Sequence, residues 1–190
     1  MGKDQREASA LRGGGWLSAA PLDRKQRKTN MVIRPAEISD TEKIAATHKA
    51  SIEAICSSSY DSQSIAGWVG ILSPAIYDDA IEHKVIILAE KNEEILGFGI
   101  LDLAQGEIAA IYIHPKVKGK GYGRKLLLKL EYIAKNNKVN QLALCSTINA
   151  LGFYKHHGYI STNKTFHQLP NGIKLKCIKM SKKLQNNESV

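Results

Sequence analysis

The sequence predicts an α/β protein in which a mixed, mainly antiparallel central sheet of about seven strands is flanked by helices. Three observations predict it. Seven strand-sized stretches, most of them apolar, lie between Met31 and Met180. Two of them, "KVIILAEKN" and "EILGFGILDLA", are joined by a tight polar turn, and an Asn171-Gly172 pair marks a second hairpin near the C-terminus. Between the fourth and fifth strands stands a glycine-rich bend followed by leucines at helical spacing. A strand–helix–strand unit of that kind is most easily parallel. A chain of 190 residues suits one domain with a single sizeable core.

The elements follow in order. "MVIRPA" reads as the first strand, and Ser39-Asp40-Thr41-Glu42 has the spacing of a capping box, which predicts a helix start. Ile44, His48, Ile52 and Ile55 then fall on one helical face. A second helical region covers 62–81, broken around Gly70 and Pro74. The hairpin comes next, then the strand "GEIAAIYIH" and the glycine bend. Leu126, Leu127, Leu130, Ile133 and Ala134 form the buried stripe expected of the helix after the bend. "NQLALCS" is a strand, 149–157 a short helix, 159–165 a strand, and "IKLKCIKM" the last strand.

At the ends the pattern fails. Residues 1–30 show neither strand alternation nor a sustained helical stripe, and carry seven Lys/Arg against three Asp/Glu. They are expected to be a disordered extension or a leader, with a single domain over 31–183 and a polar tail over 184–190.

Composition excludes several classes. Apolar residues make up 43% and charged residues 24%, too apolar for a disordered chain. The longest apolar runs, "VIILA" and "IAAIYI", are far too short to span a bilayer, so no membrane partner is expected. Cys56, Cys145 and Cys177 show no CxxC or Cys/His spacing, which argues against a disulfide framework and against a bound metal. A reducing cytoplasm is the expected location. The net charge of +9 suits an anionic ligand and equally suits solvated surface lysines. The interleaved aromatic pattern of a nucleic-acid binder is missing, so no nucleic-acid partner is expected.

The stretch "HPKVKGKGYGRKLLLKLE" carries the chemistry. Gly119, Gly121 and Gly123 alternate with Lys120 and Tyr122, so several backbone N–H groups can converge without obstruction from side chains. A helix starting near Gly121 or Tyr122 adds unpaired N–H groups and the positive end of its dipole. Lys118, Lys120, Arg124 and Lys125 supply charge around the rim. Together they make a phosphate or pyrophosphate site. The P-loop pattern GxxxxGK followed by Ser or Thr is not met, and the third glycine arrives one residue early for a dinucleotide fingerprint.

These residues resemble the signature of the GNAT superfamily, the acetyl-CoA-dependent N-acetyltransferases. Lys118 stands at the family's Gln/Arg position, with Gly121 and Gly123 at its two glycine positions. "NALGFYKHHGY" resembles the family's second motif, and "IRPAEISDTEKI" its first strand and helix. The resemblance implies a sheet whose parallel fourth and fifth strands splay to admit acetyl-CoA, with no metal. The pyrophosphate would lie on residues 118–124, including Gly119, Lys120 and Tyr122. Backbone groups of Ile111, Tyr112 and Ile113 would bind the pantetheine arm, and Asn149 would either contact that arm or cap its helix. Tyr154, the tyrosine of the Phe-Tyr pair, is the implied acid, with Phe153 in the core. Glu107 is the candidate base; strand parity places it on the face of Ile111 and Ile113. A small-buried-residue reading fits Cys145. The final hairpin and first helices would form the acceptor end, where Tyr60, Trp68, Tyr77 and Phe166 are possible lining residues.

The expected activity is acetyl transfer to a primary amine of a small molecule or protein, by a monomer or homodimer. The alternative is a non-catalytic acyl-CoA-binding sensor or interaction module of the same fold.

Overall fold

A computed structural model describes residues 30–184; the expectations for 1–29 and for the tail beyond Leu184 lie outside those residues. Seven strands form one sheet in the order β1-β2-β3-β4-β5-β7-β6. They are β1 (Val32–Pro35), β2 (Val85–Lys91), β3 (Glu94–Asp102), β4 (Glu107–Ile113), β5 (Gln141–Thr147), β6 (Ile160–Gln168) and β7 (Lys174–Lys183). Among the described residues five α-helices accompany them: α1 (Thr41–Ile55), α2 (Ser62–Gly70), α3 (Ala75–His83), α4 (Tyr122–Asn136) and α5 (Leu151–His156). Every pairing is antiparallel except β4 with β5, which α4 connects. The mixed sheet read from the sequence is the sheet observed.

Local chemistry explains the elements. Asn92 and Glu93 both have positive φ in the β2–β3 turn, whose backbone twist then matches that of the strands it joins. The start of α1 differs from expectation: Ser39 is not its cap. Instead the Asp40 carboxylate accepts from the Glu37 amide at 2.9 Å, and Arg34 grips both Asp40 oxygens at 2.7 and 2.8 Å. Arg34 also donates to Glu90, so β1, β2 and the entry to α1 meet at one guanidinium. Burial works to raise the Asp40 pKa, but Arg34 and the Glu37 amide outweigh it and hold it low.

The two sheet faces carry separate cores. Leu126, Leu127, Leu130, Ile133 and Ala134 of α4 are buried against β3, β4 and β5. The close approach needs Gly99, where a Cβ would sit 2.8 Å from Leu130 Cδ1. Also buried on α4 is Glu131, both of whose oxygens accept from Lys182 Nζ at 2.8 and 2.9 Å. On the opposite face Ile44 of α1 and Tyr77 and Ile81 of α3 pack on Ile86, Leu88 and Phe98. A third cluster joins Ile52, Cys56 and Trp68 to Leu169 and Leu175 beside the β6–β7 turn.

The break between α2 and α3 falls where Gly70 and Pro74 predict it. Gly70 is the last residue of α2, without a positive φ, and a Cβ there would meet nothing within 4 Å. Gly70→Ala is therefore expected to stabilise the protein by about 0.5–1 kcal/mol, because the unfolded chain loses freedom while no contact is disturbed. Urea denaturation should show a higher midpoint at an unchanged slope.

Candidate active site

Sheet registers open the site. β4 pairs with β5 only through Glu107↔Ala143 and Ile108↔Leu144. Beyond them β4 remains paired to β3 as far as Ile113, and β5 to β7 as far as Thr147, so the two parallel strands diverge. The β5-facing edge of residues 109–113 is left with backbone groups that can accept an extended, amide-bearing chain as an added strand.

Register also corrects the parity argument for Glu107. In the β3–β4 ladder Leu101 faces Ile108 but Ile100 faces Ala110, so Ala109 is an extra residue. Such a bulge inverts the alternation of side chains. Ile108, Ile111 and Ile113 pack toward α4, whereas Ala110 and Tyr112 pack toward the α1 face. Glu107 therefore shares the face of Ala110 and Tyr112, not that of Ile111 and Ile113. It is half-buried at the closed end of the splay.

The glycine bend lies at the other end of β4. His114 Nδ1 accepts from the Lys116 amide at 3.2 Å, shaping the turn into Pro115. The amides of Lys118 and Lys120 donate to the carbonyls of Pro115 and Val117 at 3.1 and 3.0 Å, so these two are not available to a ligand. The amides of Gly119 and Gly121 have no protein partner among the described residues. Both glycines adopt left-handed backbone, φ 77° and 79°, and a Cβ on either would meet nothing within 4 Å. Gly121 is the residue from which α4 starts, and the amides of Tyr122, Gly123 and Arg124 are the first-turn donors that a helix leaves unpaired. Gly123 lies against the Phe153 ring, 3.6 Å from an added Cβ, which seats α5 on the first turn of α4. The side chains of Lys118, Lys120 and Arg124 are exposed around the rim, and Tyr122 is half-buried. Residues 118–124 thus bring together five amides without a partner among the described residues and three exposed cations, a composition that suits a diphosphate.

Tyr154 lies in α5, 6% exposed, in the cluster on the α4 face and edge-on to Phe153 and Tyr159. Burial raises its pKa above the usual phenol value. The Tyr112 pKa is also raised well above the usual phenol value, first by burial and then by Cys56, Tyr154, Tyr60 and Tyr77. Asn149 does not cap α5; its side chain bonds the Cys56 thiol, whose pKa burial nevertheless pushes up to about 11. Of the remaining aromatic candidates, Trp68 and Tyr77 are buried, Tyr60 is half-buried and Phe166 is exposed on β6. Tyr60 escaped sequence reasoning as a clamp: its hydroxyl donates to the Lys176 carbonyl at 2.6 Å and accepts from the Ile148 amide at 3.1 Å, tying the end of β5 to β7.

The cysteines contradict the expectation of free thiols. Cys145 and Cys177 are joined by a disulfide across β5 and β7, with Cα atoms 5.9 Å apart, while buried Cys56 is free. A spacing of 32 residues carries no disulfide signal; the bond follows from the register, which sets Cys145 diagonally from Cys177. After denaturation without reductant, one thiol per chain should react with a maleimide, and three after reduction; intact mass measures both.

Among the described residues no group of three His, Cys, Asp or Glu could hold a metal ion, and no helix is long and apolar enough to cross a membrane.

Two parallel strands that diverge beside a glycine-rich bend at a helix start are the features of the fold that the comparisons identify. The family description "Acetyltransferase (GNAT) domain" matches residues 56–184, and the chain belongs to that family. Solved structures share the fold. A GCN5-related N-acetyltransferase from Rhodopseudomonas palustris is 24% identical, with TM-score 0.77, covering 83% of this chain and 98% of that one. The PaiA N-acetyltransferase of Thermoplasma acidophilum, solved with coenzyme A, is 20% identical at TM-score 0.65, covering 82% and 99%. A putative acetyltransferase, YncA, of Salmonella typhimurium, solved with acetyl-CoA, is 20% identical at TM-score 0.56, covering 85% and 98%.

Proposed function

We propose that this chain transfers the acetyl group of acetyl-CoA to a primary amine of a small molecule or protein, by direct attack of the neutral amine. The observation that carries the reading is the pair of left-handed glycines, Gly119 and Gly121, whose unpartnered amides stand at the start of α4 beside the open edge of β4. Family membership and the coenzyme bound to two structural neighbours support it.

Acetyl-CoA supplies the activated carbonyl and the thiolate leaving group. Residues 119 and 121–124 hold its diphosphate through backbone N–H groups, and Lys118, Lys120 and Arg124 balance its charge. The free edge at Ile111, Tyr112 and Ile113 aligns the pantetheine amides, with Asn149 on the far side of the splay. Orientation of this kind removes much of the entropic barrier to amine attack. As the C–N bond forms and the C–S bond breaks, Tyr154 gives its phenolic proton to sulfur and Glu107 takes one from the amine nitrogen. The bulge helps this division. Tyr154 packs in the cluster on the α4 face and Glu107 lies on the α1 face, so in this reading acid and base act from opposite sides. No metal takes part. A cytoplasmic location suits a chain that consumes acetyl-CoA, and the Cys145–Cys177 bond would then be the part of the structure most exposed to reduction.

Calorimetry with coenzyme A and with acetyl-CoA, followed by thiol release against a panel of amines, tests the reading. Binding together with amine-dependent release supports it. Binding without release from any amine favours the non-catalytic sensor, and absence of binding removes both.

A further inference from the structure

We propose that the open edge of β6, over residues 163–168, docks an extended, carboxylate-rich segment of a partner protein as an added strand. The proposal goes beyond the transferase reading and does not depend on it.

Charge divides the chain. Residues 31–107 hold thirteen Asp/Glu against five Lys/Arg, whereas 108–184 hold fifteen Lys/Arg against one Asp/Glu. That one, Glu131, is already held by Lys182. Five of the fifteen lie at 116–125 around the glycine bend; the other ten lie at 129–183, beyond the coenzyme site. Charge alone would fit solvated lysines. The strand among them makes it a surface.

β6 ends the sheet, so no strand lies beside its outer edge among the described residues. Eight of its nine residues are exposed, and none is Pro, Asp or Glu. An irregularity between Ser161 and Asn163 breaks the first part of the edge, but from Asn163 to Gln168 the pairing with β7 runs without a shift. No backbone group of 163–168 has a backbone partner outside β7 among the described residues. A straight edge of this kind is a template for a further strand.

Register sets which side chains that strand would meet. Lys164 lies opposite Ile178, Phe166 opposite Lys176 and Gln168 opposite Lys174, so these side chains share one face. Phe166 is 57% exposed, and Lys164, Lys174 and Lys176 are exposed. None of the three lysines has an ion-pair partner among the described residues. An added strand places alternate side chains over this face, where carboxylates meet the lysines and an apolar group meets Phe166.

The same charges disfavour other occupants. A second copy pairing through its own β6 would set these lysines against their equivalents, and like charges across a strand pair destabilise it. Residues 1–30 carry seven Lys/Arg against three Asp/Glu, the same sign again. Nucleic acid satisfies the lysines but cannot continue the ladder of β6.

Fluorescence anisotropy with labelled heptapeptides on the full chain tests the proposal. A peptide alternating glutamate and valine should bind at least about tenfold tighter than one alternating lysine and valine. The acidic peptide methylated at every backbone nitrogen keeps its carboxylates but cannot pair as a strand, and should bind about tenfold more weakly. Lys164→Glu should weaken binding about tenfold, while Lys138→Glu, in the turn after α4, should leave it within about twofold. Acidic and basic peptides binding alike, or an undiminished affinity for the methylated one, overturns the proposal. So does an equal loss in Lys138→Glu, which would reduce the effect to net charge. A single-stranded oligonucleotide of the same net charge that binds more tightly than the acidic peptide overturns it in favour of nucleic acid.

Discussion

Tyr154→Phe is expected to lower kcat by about 100-fold or more while leaving the affinity for acetyl-CoA within about twofold. The reason lies in what the substitution leaves in place. Tyr154 is packed edge-on to Phe153 at 5.1 Å and to Tyr159 at 5.6 Å, and a phenylalanine ring fills the same space. The glycine bend is untouched, because α5 rests on it through Phe153 and not through Tyr154. Only the O–H is lost, and with it the proton for the departing sulfur. Burial raises the Tyr154 pKa, so its acid form persists above the pH at which an ordinary phenol ionises. The wild-type rate should accordingly show no alkaline loss at the ordinary phenol pKa. Steady-state thiol release at saturating amine, set beside calorimetry, measures both quantities. An unchanged kcat removes Tyr154 as the acid; lost affinity at constant kcat makes it a packing residue of the coenzyme site.

What could be read beforehand follows from the range of the interaction involved. The β2–β3 hairpin, the apolar face of α4 and the glycine bend are all set by residues within a few positions of one another, and each appears where its sequence places it. The bulge at Ala109 was not legible. It is a property of the pairing with β3, and no periodicity within "GEIAAIYIH" marks the extra residue. One residue of register moved Glu107 to the opposite face. The Cys145–Cys177 bond was hidden for the same reason, since β5 and β7 become neighbours only through the sheet order. His48 was legible as an apolar-face residue of α1. Its orphaned Nε2 was not, because that depends on rings contributed by α2, α3, β3 and β4. Likewise the bend suggested free amides, but not that those of Lys118 and Lys120 close the turn while those of Gly119 and Gly121 have no partner among the described residues.

That alternation makes Gly121→Val the sharper probe of the coenzyme site. At φ 79° an L-residue sits in the left-handed region, at a cost of about 1–2 kcal/mol, and a β-branched side chain fares worse. No protein atom lies within 4 Å of the added Cβ, so crowding inside the fold contributes nothing. The chain can relieve the strain by rotating to negative φ, which reorients the peptide groups adjoining Gly121. The expected result is a loss of coenzyme affinity of about 30-fold, equivalent to about 2 kcal/mol. The cost to unfolding stability should be no larger than the strain itself. Lys118→Gln should weaken binding less, and that effect should shrink as salt is raised, since an exposed lysine acts through screened charge. The Gly121→Val effect should persist in salt, because it comes from the direction of backbone N–H groups. Calorimetry at two ionic strengths distinguishes the contributions. Affinity unchanged in Gly121→Val would mean that the diphosphate is held by the lysine rim and not by the bend, leaving the left-handed glycines without a role in binding.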